Sequence, residues 1–303
     1  MYRYKRLMVG VSFTDTDLSA IQYAAMISRL AKSEHVSFVH VVRNFESLKS
    51  IHEEYPQLLE PIEEFTKTQM RTEVSKYFDG PPEITMEYEV VEGSPLLQLL
   101  NLARRREIDL LVIGKGPICR EDVKLPVKLA RKAPCSVLVV PQKSVIQINN
   151  ILVPIDFSDN AKDAMEVGIN IASAAGKTTI ACVNTYSVPS GYQKTGKTYE
   201  EFAAIMKEHA EKHSEEFLSQ IDYKGISVTP LFTLDDHTAQ GIEKTIEANQ
   251  IDLVVVGARG RETFAGLLLG SITRALIKLT SIPLLAVKKK TGGMTFIEAL
   301  RNL

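Results

Sequence analysis

Near the end of the sequence, Gly257-Ala258-Arg259-Gly260 is followed after nine residues by Gly270-Ser271-Ile272-Thr273. The pattern has the makings of an anion site. An apolar run, Leu253-Val254-Val255-Val256, precedes it, and a helix-like stretch begins near Ser271. Strand, glycine loop and helix start then bring backbone N–H groups to one spot, which is the geometry of a phosphate cradle. Glycine lets the backbone approach an anion with no Cβ in the way, and hydroxyls and N–H groups donate to it. The spacing is not the Walker pattern, which places Lys before Ser or Thr, nor the tight G-x-G-x-x-G dinucleotide turn. An isolated G-x-x-G marks a turn more often than a ligand site. Here it coincides with a strand and helix context and with Asp156, which closes the run Val153-Pro154-Ile155-Asp156.

Other chemistry is sparse. His209 and His213 stand one helical turn apart, a spacing that can chelate zinc, but Ala210-Glu211-Lys212 between them is not the H-E-x-x-H arrangement and no third ligand is evident. They read as a solvated helix face. His40 lies in an apolar strand and reads as a satisfied core histidine. His237 follows Asp235-Asp236 and reads as a helix cap. Cys119, Cys135 and Cys182 are odd in number and lack metal or redox spacing, which suits reduced thiols. No G-x-S-x-G, H-x-G-H or S-G-G-x-D-S signature appears, so a nucleotide-activating or acyl-transfer enzyme is not indicated.

The elements that must position the glycine motif occur twice. Leu7-Met8-Val9-Gly10-Val11-Ser12-Phe13 and Leu152-Val153-Pro154-Ile155-Asp156-Phe157 share a pattern and precede similar helices, about 17–33 and 159–175. A buried strand follows in each half (36–42; 178–186), then a charged amphipathic helix (57–78; 199–220) and a third strand (84–91; 227–234). Another helix (95–106; 238–248), a fourth strand (110–114; 253–257) and a last helix and strand (127–132 and 137–140; 272–279 and 284–287) complete it. Apolar runs alternating with helices of 3.6-residue period call for a parallel sheet covered on both faces. The expected fold class is therefore α/β, two tandem doubly wound parallel five-stranded sheets. Pairing of 137–140 with 284–287 is expected to join them as an intramolecular pseudo-dimer. Residues 142–149 read as the linker, and Phe296-Ile297-Glu298-Ala299-Leu300 as part of a short C-terminal amphipathic tail.

A length of 303 residues accommodates two ordinary domains, and 45% hydrophobic with 24% charged residues is the balance of a folded globular chain. A net charge of −1, with both signs interleaved, gives no electrostatic footprint for nucleic acid or an anionic membrane. Met1-Tyr2-Arg3-Tyr4-Lys5-Arg6 runs into a short strand instead of a long apolar stretch, and no segment approaches a membrane span. The expected location is the cytoplasm.

With these residues in view, the chain resembles a tandem universal stress protein, with domains at 1–144 and 148–290 and a tail helix at 291–303. The family motif G-x-x-G-x9-G-(S/T) is matched at Gly257, Gly260, Gly270 and Ser271, and the Asp closing the first strand is matched by Asp156. The resemblance implies a Rossmann-like, adenine nucleotide alpha hydrolase-like fold. It also implies ATP or another adenine nucleotide as ligand, with or without magnesium. Carried over residue by residue, Pro154, Ile155 and Asp156 face the adenine and ribose, and Thr185 offers backbone contacts. Val256, Gly257, Arg259 and Gly260 line the ribose and phosphates, and Gly270, Ser271, Ile272 and Thr273 close on the phosphate tail. The function implied is that of a stress-response sensor; a slow ATPase, a self-phosphorylating enzyme using Ser271 or Thr273, and a nucleotide-free interaction module are the alternatives. A homodimer or a regulatory protein is the expected macromolecular partner.

The first half lacks these features. Ser12 stands at the place of Asp156, Gly114-Lys115-Gly116-Pro117 replaces the G-x-x-G, and Val123-Lys124 replaces Gly270-Ser271. Valine adds bulk where the backbone must approach closely and disfavours positive φ, so this half is not expected to bind ATP. Lys115, Arg120, Lys124 and Lys128 read as a solvated charged face.

Overall fold

The computed structural model describes residues 4–43, 62–117, 123–259 and 269–289. Gly260, Cys119, Arg120, the start of the helix expected at 57–78 and the tail at 291–303 lie outside the described residues. The chain divides into two compact units, Met1–Ile146 and Gln147–Leu303.

In the first unit, β1 (Arg6–Val11), α1 (Thr16–Ala31), β2 (His35–Val42), α2 (Ile62–Tyr77), β3 (Thr85–Glu92), α3 (Pro95–Arg105), β4 (Leu110–Lys115), α4 (Lys124–Lys132) and β5 (Ser136–Pro141) follow one another. The sheet order is β3-β2-β1-β4-β5, with every described pair parallel. Leu7, Met8, Val9, Leu110, Leu111 and Val112 are wholly buried, as strands covered by helices on both faces must be.

The second unit repeats the plan. It runs β6 (Ile151–Pro154), α5 (Asp159–Ala174), β7 (Thr179–Tyr186), α6 (Tyr199–Leu218), β8 (Ser227–Leu234), α7 (Thr238–Ala248), β9 (Leu253–Gly257), α8 (Ser271–Leu279) and β10 (Leu284–Val287). Its order is β8-β7-β6-β9-β10, again parallel. Each unit is thus a doubly wound five-stranded sheet whose strand order reverses beside its first strand, where such sheets open a crevice beyond the carboxyl ends.

Small devices repeat as well. Asp109 accepts the N–H groups of Lys5 and Arg6, both at 3.0 Å, and Asp252 accepts those of Asn149 and Asn150 at 2.9–3.1 Å. These clamps tie the start of each first strand to its neighbour. The boundary between the two units falls within 142–149, and the segment is tied down on each side of it: the Val145 carbonyl accepts from Tyr23 at 3.0 Å, Ile148 is buried and Asn149 is held by Asp252. Cys135 and Cys182 are buried free thiols, and burial pushes the Cys182 thiol up to about 12, so it stays protonated. No described helix is long and apolar enough to cross a membrane.

Candidate functional site

Pro154 opens the site. Ile155 N–H donates to the Val183 carbonyl of β7 at 2.8 Å, so by strand alternation the next N–H back would face β9, and proline has none. Pairing of β6 with β9 accordingly runs only from Ile151↔Leu253 to Leu152↔Val254. In the first unit the same ladder extends over Leu7↔Leu110 to Gly10↔Ile113, with Gly10 at the place of Pro154. The strands of the second unit part at their carboxyl ends, and a cavity of about 560 Å³ lies there, within the size range of small-molecule sites, roughly 300–1,000 Å³.

The chain turns sharply after β6. Phe157 adopts φ +63°, which a non-glycine residue rarely holds, and its ring packs on His213 and Phe217, both at 5.9 Å between centroids. Asp156 Oδ1 accepts from Ser158 N at 3.1 Å and from Ser158 Oγ at 2.6 Å, while Ser158 Oγ caps α5 by accepting from Ala161 N. The carboxylate is thereby fixed at the cavity wall. Asn184 Nδ2 donates to the Ile155 carbonyl at 2.9 Å and holds the other side of the turn.

Across the cavity, Gly257 ends β9. A Cβ there would lie 2.8 Å from the Asn160 carbonyl oxygen, so glycine is what lets β9 meet the start of α5. Gly270 N–H donates to the Ala258 carbonyl at 2.9 Å and precedes α8, whose start has no side-chain cap. Ser271, Ile272 and Thr273, the first residues of that helix, border the cavity, at the positive end of the helix dipole. Ser271 is exposed, whereas Thr273 is buried and donates its hydroxyl to the Gly257 carbonyl at 2.8 Å. Thr273 therefore ties α8 to β9, and its hydroxyl is engaged by protein.

Pro154, Ile155, Asp156, Thr185, Val256, Gly257, Arg259, Gly270, Ser271, Ile272 and Thr273 all line this one cavity; Gly260 is outside the described residues. Ala161, Val183, Asn184, Thr238 and Ile242 line it too and were not singled out from sequence. The signal for Asn184 lay in the repeat: His40, at its place in the first unit, puts Nδ1 2.9 Å from the Val11 carbonyl and makes the same clamp.

A second pattern escaped notice. Gly191-Tyr192-Gln193-Lys194-Thr195-Gly196-Lys197-Thr198 has Walker spacing between a strand and a helix. Its backbone does not form a cradle. Tyr192, Lys194 and Gly196 N–H groups donate to Pro189, Gly191 and Gln193 carbonyls, and Thr198 and Glu201 close a reciprocal capping box on α6. With its N–H groups engaged and Glu200 and Glu201 in the first turn, this helix start repels anions.

The counterpart site in the first unit is filled from within. Asp17 Oδ2 accepts from Ser12 N at 2.9 Å and Phe13 N at 2.6 Å, and Ser12 Oγ donates to Oδ1 at 2.8 Å. Phe13 keeps the left-handed turn, at φ +57°. The buried Asp17 carboxylate occupies the place of Ala161, so the loop's donors already hold an anion. Burial raises the Asp17 carboxyl above its usual range, against the opposing hydrogen bonds from Ser12, Phe13 and Thr14. Ile113 replaces Val256, and its Cδ1 lies 2.8 Å from where a Gly10 Cβ would be, so Ile113 packs over Gly10.

Three expectations need correction. Lys115 is 2% exposed and belongs to no solvated face, although Lys124 and Lys128 are exposed. His237 stands at the start of α7 without a side-chain cap; its N–H donates to Asp235 Oδ1 at 2.8 Å, so Asp235 braces that turn. Gly270 has φ −56° and Val123 φ −90°, so positive φ is not what separates them. His209 and His213 are exposed on α6 with rings 6.4 Å apart, and no group of three metal-ligating residues occurs among the described residues.

A doubly wound sheet with a cavity at its switch point, bordered by Asp156, Gly257, Gly270 and an uncapped helix start, defines an α/β domain of the kind that places small ligands there, here built on a framework used twice. The chain belongs to the universal stress protein family, whose model matches residues 3–141 and again 147–288. A universal stress protein of Mycobacterium tuberculosis is 27% identical over 214 residues, covering 68% of this chain and 70% of that one. One of Methanocaldococcus jannaschii is 24% identical over 161 residues, which are 48% of this chain and 99% of its own. The crystal structure of a universal stress protein from Archaeoglobus fulgidus covers 94% of this chain and 98% of its own, at 14% identity and a TM-score of 0.65; that likeness shows the fold.

Proposed function

We propose that the second domain, residues 148–290, binds one molecule of ATP or a related adenine nucleotide per chain, and that the protein acts as a cytoplasmic stress-response sensor through that binding. The observation that supports this most is the meeting of Asp156, Gly257, Gly270 and the uncapped start of α8 around one cavity. The acid suits a ribose diol, as carboxylates do in other doubly wound domains. The helix start and Arg259 suit phosphates. Hydrogen bonds to a charged group contribute about 1.5–3 kcal/mol each, so three or four account for a micromolar dissociation constant, about 8.2 kcal/mol.

A sensor needs only differential binding by two states and no turnover. Incubating the chain with ATP and magnesium checks this: neither ADP nor phosphoprotein is expected over hours. The engaged hydroxyl of Thr273 argues against that residue as an acceptor.

Titration calorimetry of ATP into the wild-type chain and Gly270→Val tests the central reading. One site per chain is expected for the wild type and at least tenfold weaker binding for the variant. No binding by the wild type sinks the reading and leaves the interaction module in its place.

A further inference from the structure

The turn that carries Asp156 is fixed at two levels. Within it, Ser158 sets the carboxylate, through bonds of 3.1 Å from its N–H and 2.6 Å from its Oγ to Asp156 Oδ1. A different residue fixes the turn against the sheet. Pairing of β6 with β9 stops at Leu152↔Val254, and pairing with β7 stops at Pro154↔Val183, although β7 itself runs on to Tyr186. Past those points two bonds anchor Ile155 on β7: its N–H donates to the Val183 carbonyl at 2.8 Å, and its carbonyl accepts from Asn184 Nδ2 at 2.9 Å.

The second bond bears directly on Asp156. The Ile155 carbonyl and the Asp156 N–H belong to one planar peptide group, so fixing the carbonyl also fixes the direction in which Asp156 leaves the strand. The first unit uses the same device with another side chain. His40 Nδ1 lies 2.9 Å from the Val11 carbonyl, and because a carbonyl only accepts, Nδ1 is the donor there. The N–H of that same peptide, on Ser12, donates to Asp17 at 2.9 Å. In each unit a side chain from the second strand thus aims the peptide at the end of the first. The residue aimed meets an acid in one unit and is the acid in the other.

We propose that Asn184 is a positioning residue for ribose recognition: by holding the Ile155–Asp156 peptide it keeps the Asp156 carboxylate turned to the ribose hydroxyls, and so sets the preference for a ribonucleotide over its dideoxy analogue. The inference rests on the nucleotide reading above. Asn184 acts through Asp156, so loss of its donor is felt where Asp156 has a hydroxyl to meet. Histidine is the conservative replacement, since it makes the same bond in the first unit.

The test is calorimetric titration of ATP and of dideoxyATP, which lacks both ribose hydroxyls, into the full chain as wild type, Asn184→Leu, Asn184→Ala, Asn184→His and Asp156→Ala. Thermal unfolding of each without ligand checks the fold. The wild type is expected to prefer ATP, and Asp156→Ala to lose that preference. Asn184→Leu and Asn184→Ala, which lack the donor, are expected to weaken ATP about three- to tenfold and dideoxyATP by less than about twofold. Asn184→His is expected to keep the wild-type ratio of the two affinities within about twofold. Adding Asn184→Leu to Asp156→Ala is expected to cost no further ATP affinity, because the two act as one unit. Equal weakening of both nucleotides by Asn184→Leu and Asn184→Ala marks a merely structural role and overturns the proposal. Unchanged ATP affinity in these variants overturns it too, as does a drop in the ratio for Asn184→His equal to that for Asn184→Leu, or a fully additive loss in the double variant. Absence of ATP binding by the wild type, or equal affinity of the wild type for the two nucleotides, overturns the nucleotide or ribose reading itself and this inference with it.

Discussion

Gly257 shows how one residue can be legible for a partial reason. Its place in a glycine motif points to a ligand, yet its lack of a Cβ is required by the Asn160 carbonyl at 2.8 Å, and Gly114 is required in the same way by the Thr16 carbonyl at 2.7 Å. Gly257→Ala and Gly114→Ala are therefore both expected to destabilise the chain by about 1–3 kcal/mol in urea unfolding, although only one borders the cavity. A cost confined to Gly257→Ala would contradict this. Asp17 escaped notice because its role depends on the fold bringing its carboxylate back onto the loop of Ser12, Phe13 and Thr14. Its folded pKa is raised from the ordinary 3.8, with burial as the largest cause. The folded state thus holds the proton more readily than the unfolded one, and Asp17's contribution to stability falls as pH rises from 3.8 to the raised value. Asp17→Asn lacks that slope and turns an amide donor toward N–H donors. The wild type should be more stable throughout, by a margin that narrows with rising pH and then levels, as urea midpoints between about pH 3 and 7 will show.

Among the elements, β8, α7, β9 and β10 fall where periodicity placed them, with Asp235 after β8, Asp252 before β9 and Lys288 after β10 marking ends that the sequence shows directly. The start of α4 does not: it begins at Lys124, three residues before expectation, because Pro126 looks like a breaker yet fits a first helical turn, where its missing N–H has no partner to lose. The parting of β6 from β9 was hidden for a related reason. Pro154 was legible as a contact residue, but its effect on the ladder depends on which way its absent N–H faces, and that follows only from the 2.8 Å bond between Ile155 and Val183. Pro154→Val returns a donor on the β9 side. It is expected to extend the β6–β9 ladder, narrow the cavity and weaken ATP by about tenfold, or 1.4 kcal/mol, with no fall in the melting temperature. Calorimetric titration and circular dichroism read the two effects separately, and a Pro154→Val chain that binds ATP normally removes the proposed role of the proline.

For the whole molecule, the repeat was the most legible property and the fate of its two sites the least, since Ser12 for Asp156 announces a loss without showing what took the place. If the second unit alone takes nucleotide, ATP at about a hundredfold above its dissociation constant should stabilise the chain by about 2.7 kcal/mol. Asp17→Asn should leave both the affinity and the stoichiometry of one unaltered. A second equivalent of ATP taken up by either chain would refute that division. The turn at Phe13 then acquires a different meaning. Its left-handed backbone, φ +57° beside φ +63° at Phe157, persists in the unit whose loop donors hold the Asp17 carboxylate. The left-handed turn after the first strand is thus part of the framework that both units carry, and it is the side chains laid around it, Asp17 in one and Asp156 with Ser158 in the other, that differ.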